Sequence, residues 1–86
     1  MKELEKVLKA LANRRRLAIL KYLKVSGEAS VAEISEEIDL SFGATSKHLN
    51  ILAAVGIVDR EQRSLNMFYT LPKPQHLAVK NILSIF

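Results

Sequence analysis

The sequence predicts one small, mainly α-helical domain, residues 1–86, with about five helices and one small β-hairpin. Three observations lead to this prediction. Apolar residues recur at helical spacing along most of the chain, a short polar break separates two helical segments between Ser30 and Gly56, and two stretches rich in β-branched and aromatic residues follow. A chain of 86 residues also has the length of a single domain.

Amphipathic helices are predicted at both ends of the chain, over about residues 2–11 and 75–86. In each helix, apolar residues fall at i, i+3, i+4 and i+7 and form a stripe along one face. Such a stripe beside the C-terminal sequence ILSIF would leave an unfavourable exposed patch on a monomer. The expected dimer-interface residues, which would pack across a two-fold axis, are Leu4, Val7, Leu8, Leu11, Val79, Ile82, Leu83 and Phe86. The alternative is that both stripes cover the core of their own domain.

The second helix is predicted to begin after Asn13, a residue type that favours the N-cap position. It opens with Arg14, Arg15 and Arg16. Such a run usually lies on a solvated face with one member paired to a carboxylate, and Arg16 is the expected partner of that pair. Arg14 and Arg15 could contact phosphates, although the helix dipole disfavours cations at a helix N-terminus.

The third helix is predicted to begin at Ser30, which precedes Glu33 by the three residues of a capping box. Ile34 and Ile38 continue its inward-facing stripe. A polar break follows, because Gly43 and a side-chain acceptor such as Ser41 both favour a turn and a new N-cap.

The fourth helix follows this break at once. Its buried stripe is predicted to be Thr45, Leu49 and Leu52, with His48 packed beside it, and Gly56 ends it. Two short helices joined by a tight turn are the outline of a helix-turn-helix.

The next residues predict a β-hairpin. Ile57–Glu61 and Asn66–Leu71 are the strands, and the polar Gln62–Leu65 is the tip. A helix-turn-helix followed directly by a hairpin is a winged helix-turn-helix, here with a two-stranded wing. Arg60 on the first strand and Arg63 at the tip could reach phosphates. For Arg60 the alternative is a cross-strand ion pair, whereas Arg63 is expected to have fewer local partners.

One face of the fourth helix carries small, polar and basic residues, which suits the approach of a helix to a polyanion. A net charge of +4 and a pI near 9.6 would attract nucleic acid at long range. The predicted DNA-binding residues are Ser41, Phe42, Gly43, Ser46, Lys47, Asn50, Arg60 and Arg63. The alternative is an ordinary solvated helix face.

Five segments resemble those of a known family in their residues, their order and their separations. They are Ala10–Leu20, Glu28–Leu40, Ser41–Leu49, Ala54–Val58 and Phe68–Leu71. Together they resemble the ArsR family of small bacterial and archaeal transcriptional repressors. The resemblance implies a dimeric winged helix that binds an operator near its target promoter and is released or tuned by a signal. A symmetric homodimer would in turn require an inverted-repeat operator in double-stranded DNA.

The resemblance also implies which side chains face the bases. The positions that face the bases in the family pattern are occupied in this chain by Phe42, Gly43, Ser46 and Lys47. Phe42 and Gly43 stand where relatives usually present Gln and Ser, so hydrogen-bonding groups are lost. Phe42 could touch a thymine methyl group, and Lys47 could reach guanine or a phosphate.

The family's metal sites lack their ligands in this chain. Metal-sensing members carry Glu-Leu-Cys-Val-Cys where this chain has Glu28–Ala32, and the chain has no cysteine. The family's other metal site, on the C-terminal helix, needs an Asp and His pair plus a second His and acid, and of these ligands this chain has only His76 there. No metal and no cofactor are therefore expected. The effector stays open between a small organic ligand, a protein partner, temperature and none.

The expected function is sequence-specific binding of double-stranded DNA by a transcription regulator, and not catalysis. No Gly-rich phosphate loop and no plausible Ser, His and acid set are found. No signal-peptide pattern and no apolar run near the ~20 residues of a membrane span are found, which predicts a cytoplasmic protein. Without an activation domain, repression by occluding a promoter is the expected mode. The alternative is a winged-helix protein-interaction module in a transcription or replication complex.

Overall fold

The computed structural model describes all residues, 1–86, and they form five helices and three strands. In chain order these are α1 (Lys2–Leu11), α2 (Arg14–Ser26), β1 (Glu28–Ser30), α3 (Val31–Glu37), α4 (Phe42–Ala54), β2 (Asp59–Arg63), β3 (Asn66–Thr70) and α5 (Leu77–Leu83). The predicted fold class is confirmed: the protein is mainly α-helical, with a β-hairpin wing after a helix-turn-helix.

The sheet has one strand more than the sequence predicts. Its order is β1-β3-β2, all antiparallel, and Ala29 of β1 lies opposite Tyr69 of β3. Both of these side chains are buried. Three residues are too few to give a strand periodicity, so β1 is a strand only because it pairs with β3.

The hairpin is also shifted along the chain relative to the prediction. Ile57 and Val58, expected in the first strand, are instead buried in the core at 1% and 2% exposure, and β2 begins at Asp59. The tip is the two-residue turn Ser64–Leu65 rather than four residues, with Ser64 at a φ of 54°.

The predicted helix caps of the helix-turn-helix are confirmed. The Ser30 hydroxyl accepts from the Glu33 amide at 3.2 Å, and the Glu33 carboxylate accepts from the Ser30 amide at 2.9 Å. The Ser41 hydroxyl caps α4 by accepting from the Ala44 amide at 3.2 Å. Each such cap contributes about 1 kcal/mol, so the boundaries of α3 and α4 are set locally.

The turn itself differs from the expectation built on Gly43. Gly43 lies in the first turn of α4, and the residue with the left-handed conformation is Asp39, at a φ of 54°. Aspartate tolerates this region better than most residues with a side chain. Gly56, at a φ of 76°, follows the end of α4 as predicted.

The last helix is shorter than the predicted span of 75–86. The His76 ring nitrogen Nδ1 caps α5 by accepting from the Ala78 amide at 3.1 Å, and Ser84 is the C-cap. The final residues Ile85 and Phe86 lie beyond the helix. Among all five helices, none combines the length and the apolar character that crossing a membrane requires.

Candidate nucleic-acid interface

Helix α4 turns one face to the core and the opposite face to solvent. Its buried residues are the predicted stripe, Thr45, Leu49 and Leu52, each at 0% exposure. Lys47 and Asn50, on the other side, are exposed. Three side chains locked in the core therefore set the direction in which the polar face points.

The predicted contact residues are accessible, with one exception. Seven are exposed: Ser41, Phe42, Gly43, Lys47, Asn50, Arg60 and Arg63. Ser46 is half-buried. Phe42, at the start of α4, leaves 60% of its surface exposed although it is aromatic.

A cleft of about 260 Å³ separates α4 from the wing and brings four of the predicted residues together. The four are Phe42, Ser46, Asn50 and Arg60. Arg60 links the wing to α4 across this cleft, because its Nη1 donates to the Asn50 Oδ1 at 3.1 Å. The helix and the wing thus form one continuous surface, here called the α4–wing surface, on which polar and basic groups lie beside the exposed ring of Phe42. The cross-strand ion pair considered for Arg60 does not form.

Arg63 lies apart from this cleft and is not short of partners, so the expectation of few local partners was wrong. Its guanidinium forms a two-point ion pair with Glu28, in which Nη1 lies 2.9 Å from Oε2. Its Nε donates to the Glu61 Oε1 at 2.9 Å. The guanidinium carbon also lies 4.7 Å from the centre of the Phe68 ring, a cation–π distance.

These contacts change the protonation equilibria of the ion-paired cluster. The hydrogen bond from Arg63 lowers the pKa of Glu28 below 4.5. The same bond, with that to Glu61, raises the pKa of Arg63. One guanidinium therefore faces two carboxylates, which compensate its charge.

Lys47 and Arg60 are the positively charged groups of the α4–wing surface. Neither takes part in an ion pair, since the ion pairs of the protein join Lys9 to Glu5 and Arg63 to Glu28 and Glu61. Both charges are therefore available to an anion.

Arg16 connects α1 to α4, and the prediction that it pairs with a carboxylate was wrong. Its Nε donates to the Ala10 carbonyl and its Nη2 to the Lys9 carbonyl, at 3.2 Å for the latter. These carbonyls lack helical partners because they lie in the last turn of α1. Its Nη1 lies 3.2 Å from Nδ1 of His48 on α4.

His48 is half-buried beside the core face of α4, as expected for a packing histidine. Burial lowers its pKa below 6.5, and the neighbouring charges of Arg16 and Arg15 lower it further. No group of three or more His, Asp and Glu side chains has an arrangement suited to a metal ion.

The terminal helices pack against each other, and their stripes divide between core and surface. Of the predicted dimer-interface residues, Val7, Leu11 and Val79 are buried within the chain itself. Leu4, Ile82 and Leu83 are half-buried, Leu8 is 49% exposed and Phe86 is 38% exposed. The alternative, in which the stripes cover the core of their own domain, thus describes Val7, Leu11 and Val79, and in part Ile82 and Leu83, which pack against that core.

Two features of the site lie outside the predicted residues. Leu65 at the tip of the wing is 97% exposed and lines the cleft with Asn66. An apolar residue in a hairpin tip, without a core partner, is the sequence signal that could have identified it. Glu28 gives no such signal, because it lies 35 positions from Arg63.

Comparisons with known proteins give the family and the fold of the chain. The model of the family described as bacterial regulatory protein, arsR family, matches residues 13–60, more than half of the chain. The chain belongs to the ArsR family. The matched segment contains α2, β1, the helix-turn-helix and the start of the wing.

Individual relatives extend the match to the terminal helices. The transcriptional activator HlyU of Vibrio cholerae is 40% identical over 77 residues, 90% of this chain and 70% of HlyU. Its solved structure has a TM-score of 0.82 at 37% identity and covers 98% of this chain and 87% of that one. The cadmium resistance transcriptional regulatory protein CadC of Listeria innocua is 30% identical over 90% of this chain and 62% of CadC.

A third similar protein is described as a dimer. The solution structure of Mb0332 from Mycobacterium bovis, a homodimeric winged helix-turn-helix DNA-binding domain, has a TM-score of 0.81 at 27% identity. It covers 98% of this chain and 74% of that one. The chain is accordingly a transcription regulator of the ArsR family with the winged helix-turn-helix DNA-binding fold.

Proposed function

We propose that this ArsR-family regulator is a homodimer that binds an inverted-repeat operator through α4 and the wing and represses transcription by occupying promoter DNA. The observation that carries the proposal is the α4–wing surface, where Lys47 and Arg60 have no carboxylate partner. The place of action is the cytoplasm, where prokaryotic DNA lies.

The chemistry of the surface suits contact with both bases and phosphates. Phe42 offers an exposed ring to thymine methyl groups, and Lys47 offers a mobile cation to guanine or a phosphate. Arg60 and Asn50 provide hydrogen-bonding groups where helix and wing meet. Ser41 and Gly43 lie at the N-terminal end of α4, where free backbone amides favour phosphate.

Arg63 has a smaller role in this proposal than the other predicted contacts. Its guanidinium already binds Glu28 and Glu61. A phosphate contact would require breaking at least part of this cluster, so the favourable change in free energy would be reduced. Lys47 and Arg60 are therefore the proposed main cationic contacts.

The dimer is proposed to form through the exposed parts of the terminal helices. Leu8 and Phe86 supply apolar surface that nothing in the chain covers. Mb0332 is described as homodimeric, which supports the same arrangement here. Sedimentation of Leu8→Glu is expected to give monomers, and Leu65→Glu, which adds the same charge at the wing tip, is expected to leave the dimer intact.

Thiolate metal sensing is not part of the proposed function. Ser30 and Ala32 stand where metal-sensing relatives have cysteines, and the Ser30 hydroxyl is engaged as a helix cap. Addition of Cd²⁺ is expected to change neither the melting temperature nor the affinity for DNA. A cadmium-dependent loss of DNA binding would contradict this part of the proposal.

The DNA-binding proposal is tested by selecting duplexes from a random library and measuring the affinity of the enriched sequence across salt concentrations. An inverted repeat with half-sites about one helical turn apart is expected. Lys47→Ala is expected to weaken binding and to reduce the slope of log K against log salt by about 1, whereas Lys73→Ala, at an exposed loop, is the matched control.

Two outcomes would overturn the proposal. Uniform weak binding without enrichment would favour the protein-interaction module instead. Enrichment with unchanged affinity in Lys47→Ala would place the DNA contact elsewhere. The direction of regulation is measured with a reporter downstream of the selected operator, since HlyU is named an activator and repression is expected here.

A further inference from the structure

A second cleft, of about 700 Å³, lies between α2 and the end of α3. None of its lining residues belongs to α4 or to the sheet, so it is separate from the proposed DNA surface. Its apolar side is formed by Ala18, Tyr22 and Val25 of α2 together with Ile38. Val25 is 83% exposed, which leaves an apolar wall open to solvent. The volume falls within the range of small-molecule sites, about 300 to 1,000 Å³.

The charged residues of this cleft are unbalanced. Arg14, Arg15 and Lys21 line it, against the single carboxylate of Glu37. None of these three cations forms an ion pair. Two of them lie in the first turn of α2, where the helix dipole makes cations unfavourable, so the helix gains no stability from them there.

Cations beside an apolar wall are complementary to an anion with an apolar body. The guanidinium groups would bind the anionic group, and Tyr22 and Val25 would cover the body. A purely inorganic anion would leave the apolar wall unused, and an uncharged compound would leave three charges unused. The composition of the cleft therefore selects one chemical class.

We propose that this cleft binds a small amphipathic anion, a carboxylate or sulfonate carried on an aromatic or aliphatic body. One contact links the cleft to the helix-turn-helix: the Arg15 Nη1 donates to the Ile38 carbonyl at 3.2 Å. Ile38 is the C-cap of α3 and precedes Asp39, the left-handed residue of the turn. An anion that takes over Arg15 releases that carbonyl and loosens the turn. This consequence for DNA rests on the proposed function, whereas binding of the anion does not.

The probe is 8-anilinonaphthalene-1-sulfonate, with N-phenyl-1-naphthylamine as its uncharged counterpart. Fluorescence titration of the full chain is expected to give saturable binding of the sulfonate. Its affinity is expected to fall by about tenfold in Arg14→Gln and in Lys21→Gln, because each loses a charged hydrogen-bond donor. Lys73→Gln, with the same change of charge outside the cleft, is expected to bind like the wild type. The uncharged compound is expected to bind at least about tenfold more weakly.

Amide chemical shifts locate the probe. Saturation with the sulfonate is expected to shift the amides of Lys21, Tyr22 and Asp39. Equal affinity for the uncharged compound, or shifts confined to α1 and α5, would overturn the proposal. The proposal would also be overturned if operator DNA shifts these amides while the sulfonate does not bind, because the cations of the cleft would then be DNA contacts. Failure of sulfonate binding leaves operator binding intact, so the two proposals fail separately.

Discussion

Arg60 and Arg63 lie three positions apart on β2, and the pleat of the strand sends them to opposite faces of the sheet. Arg60 points to α4, where it bonds the neutral amide of Asn50. Arg63 points to the other face, where it is held by Glu28 and Glu61. The first keeps its charge available to an external anion, and the second has its charge compensated within the domain.

The third strand creates this difference. In the order β1-β3-β2, Glu28 lies two strands away from Arg63, and the Arg63 side chain crosses over Phe68 of β3 to reach it. On one face of the wing, carboxylates therefore compensate the charge of Arg63, whereas on the other face Arg60 meets only the neutral amide of Asn50. Arginine at a wing is not by itself a DNA contact. Whether its charge is already compensated depends on which side chains pack beside it, carboxylates for Arg63 and an amide for Arg60.

Arg60 reaches its partner on α4 only if α4 is held in the core by its buried stripe. Truncating a side chain of that stripe is expected to have the largest effect on stability. Leu49→Ala, at 0% exposure, is expected to lower the free energy of unfolding by about 2 to 5 kcal/mol. Ile51→Ala on the same helix, where the residue is 43% exposed, is expected to cost less than about 1 kcal/mol. Urea denaturation measures both, and equal losses would show that α4 is not anchored through this stripe.

The two arginines themselves are compared next. Arg60→Ala is expected to reduce affinity for the selected operator by about tenfold, because an unpaired cation at the cleft is lost. Arg63→Ala is expected to reduce it by less than about threefold, because two carboxylates already compensate that charge. Fluorescence anisotropy at several salt concentrations measures the difference. Equal losses would mean that Arg63 leaves its cluster to bind DNA.

Weakening the cluster is expected to give a smaller effect of opposite sign. Glu28→Gln removes one of the carboxylates that hold Arg63, so operator affinity is expected to rise by about two- to threefold. Glu3→Gln on α1 makes the same change in net charge and is the control. It is expected to raise operator affinity less than Glu28→Gln does. If both variants gain equally, the effect is one of net charge and the cluster plays no part.

The smallest expected effect is a pH dependence of stability. The folded pKa of His48 lies below 6.5 because the ring is partly buried near Arg16 and Arg15. Below pH 6.5 the unfolded chain therefore binds more protons at this residue than the folded one, and stability falls as pH falls. Urea midpoints at about pH 7.5 and about pH 5.5 are expected to differ less in His48→Asn than in wild type. An unchanged difference would assign the pH dependence to other groups.

Local signals explain why much of the fold is predictable. The capping box of Ser30 and Glu33, the cap at Ser41 and the end of α4 at Gly56 each involve residues a few positions apart. The span of α1 follows from its periodicity for the same reason. Hydrogen bonds and apolar stripes of this kind involve only residues that are close in sequence. The helix-turn-helix and the polar face of α4 can therefore be predicted from the sequence alone.

Distant contacts explain the remainder. Glu28 becomes part of a strand, and a partner of Arg63, only when β3 lies between β1 and β2. Arg16 finds the last carbonyls of α1 and the ring of His48, rather than a carboxylate, because three helices meet there. Charge and periodicity determine which residues can reach solvent. The packing of segments far apart in sequence decides which of those charges are already paired, since pairing depends on distance in space and not along the chain.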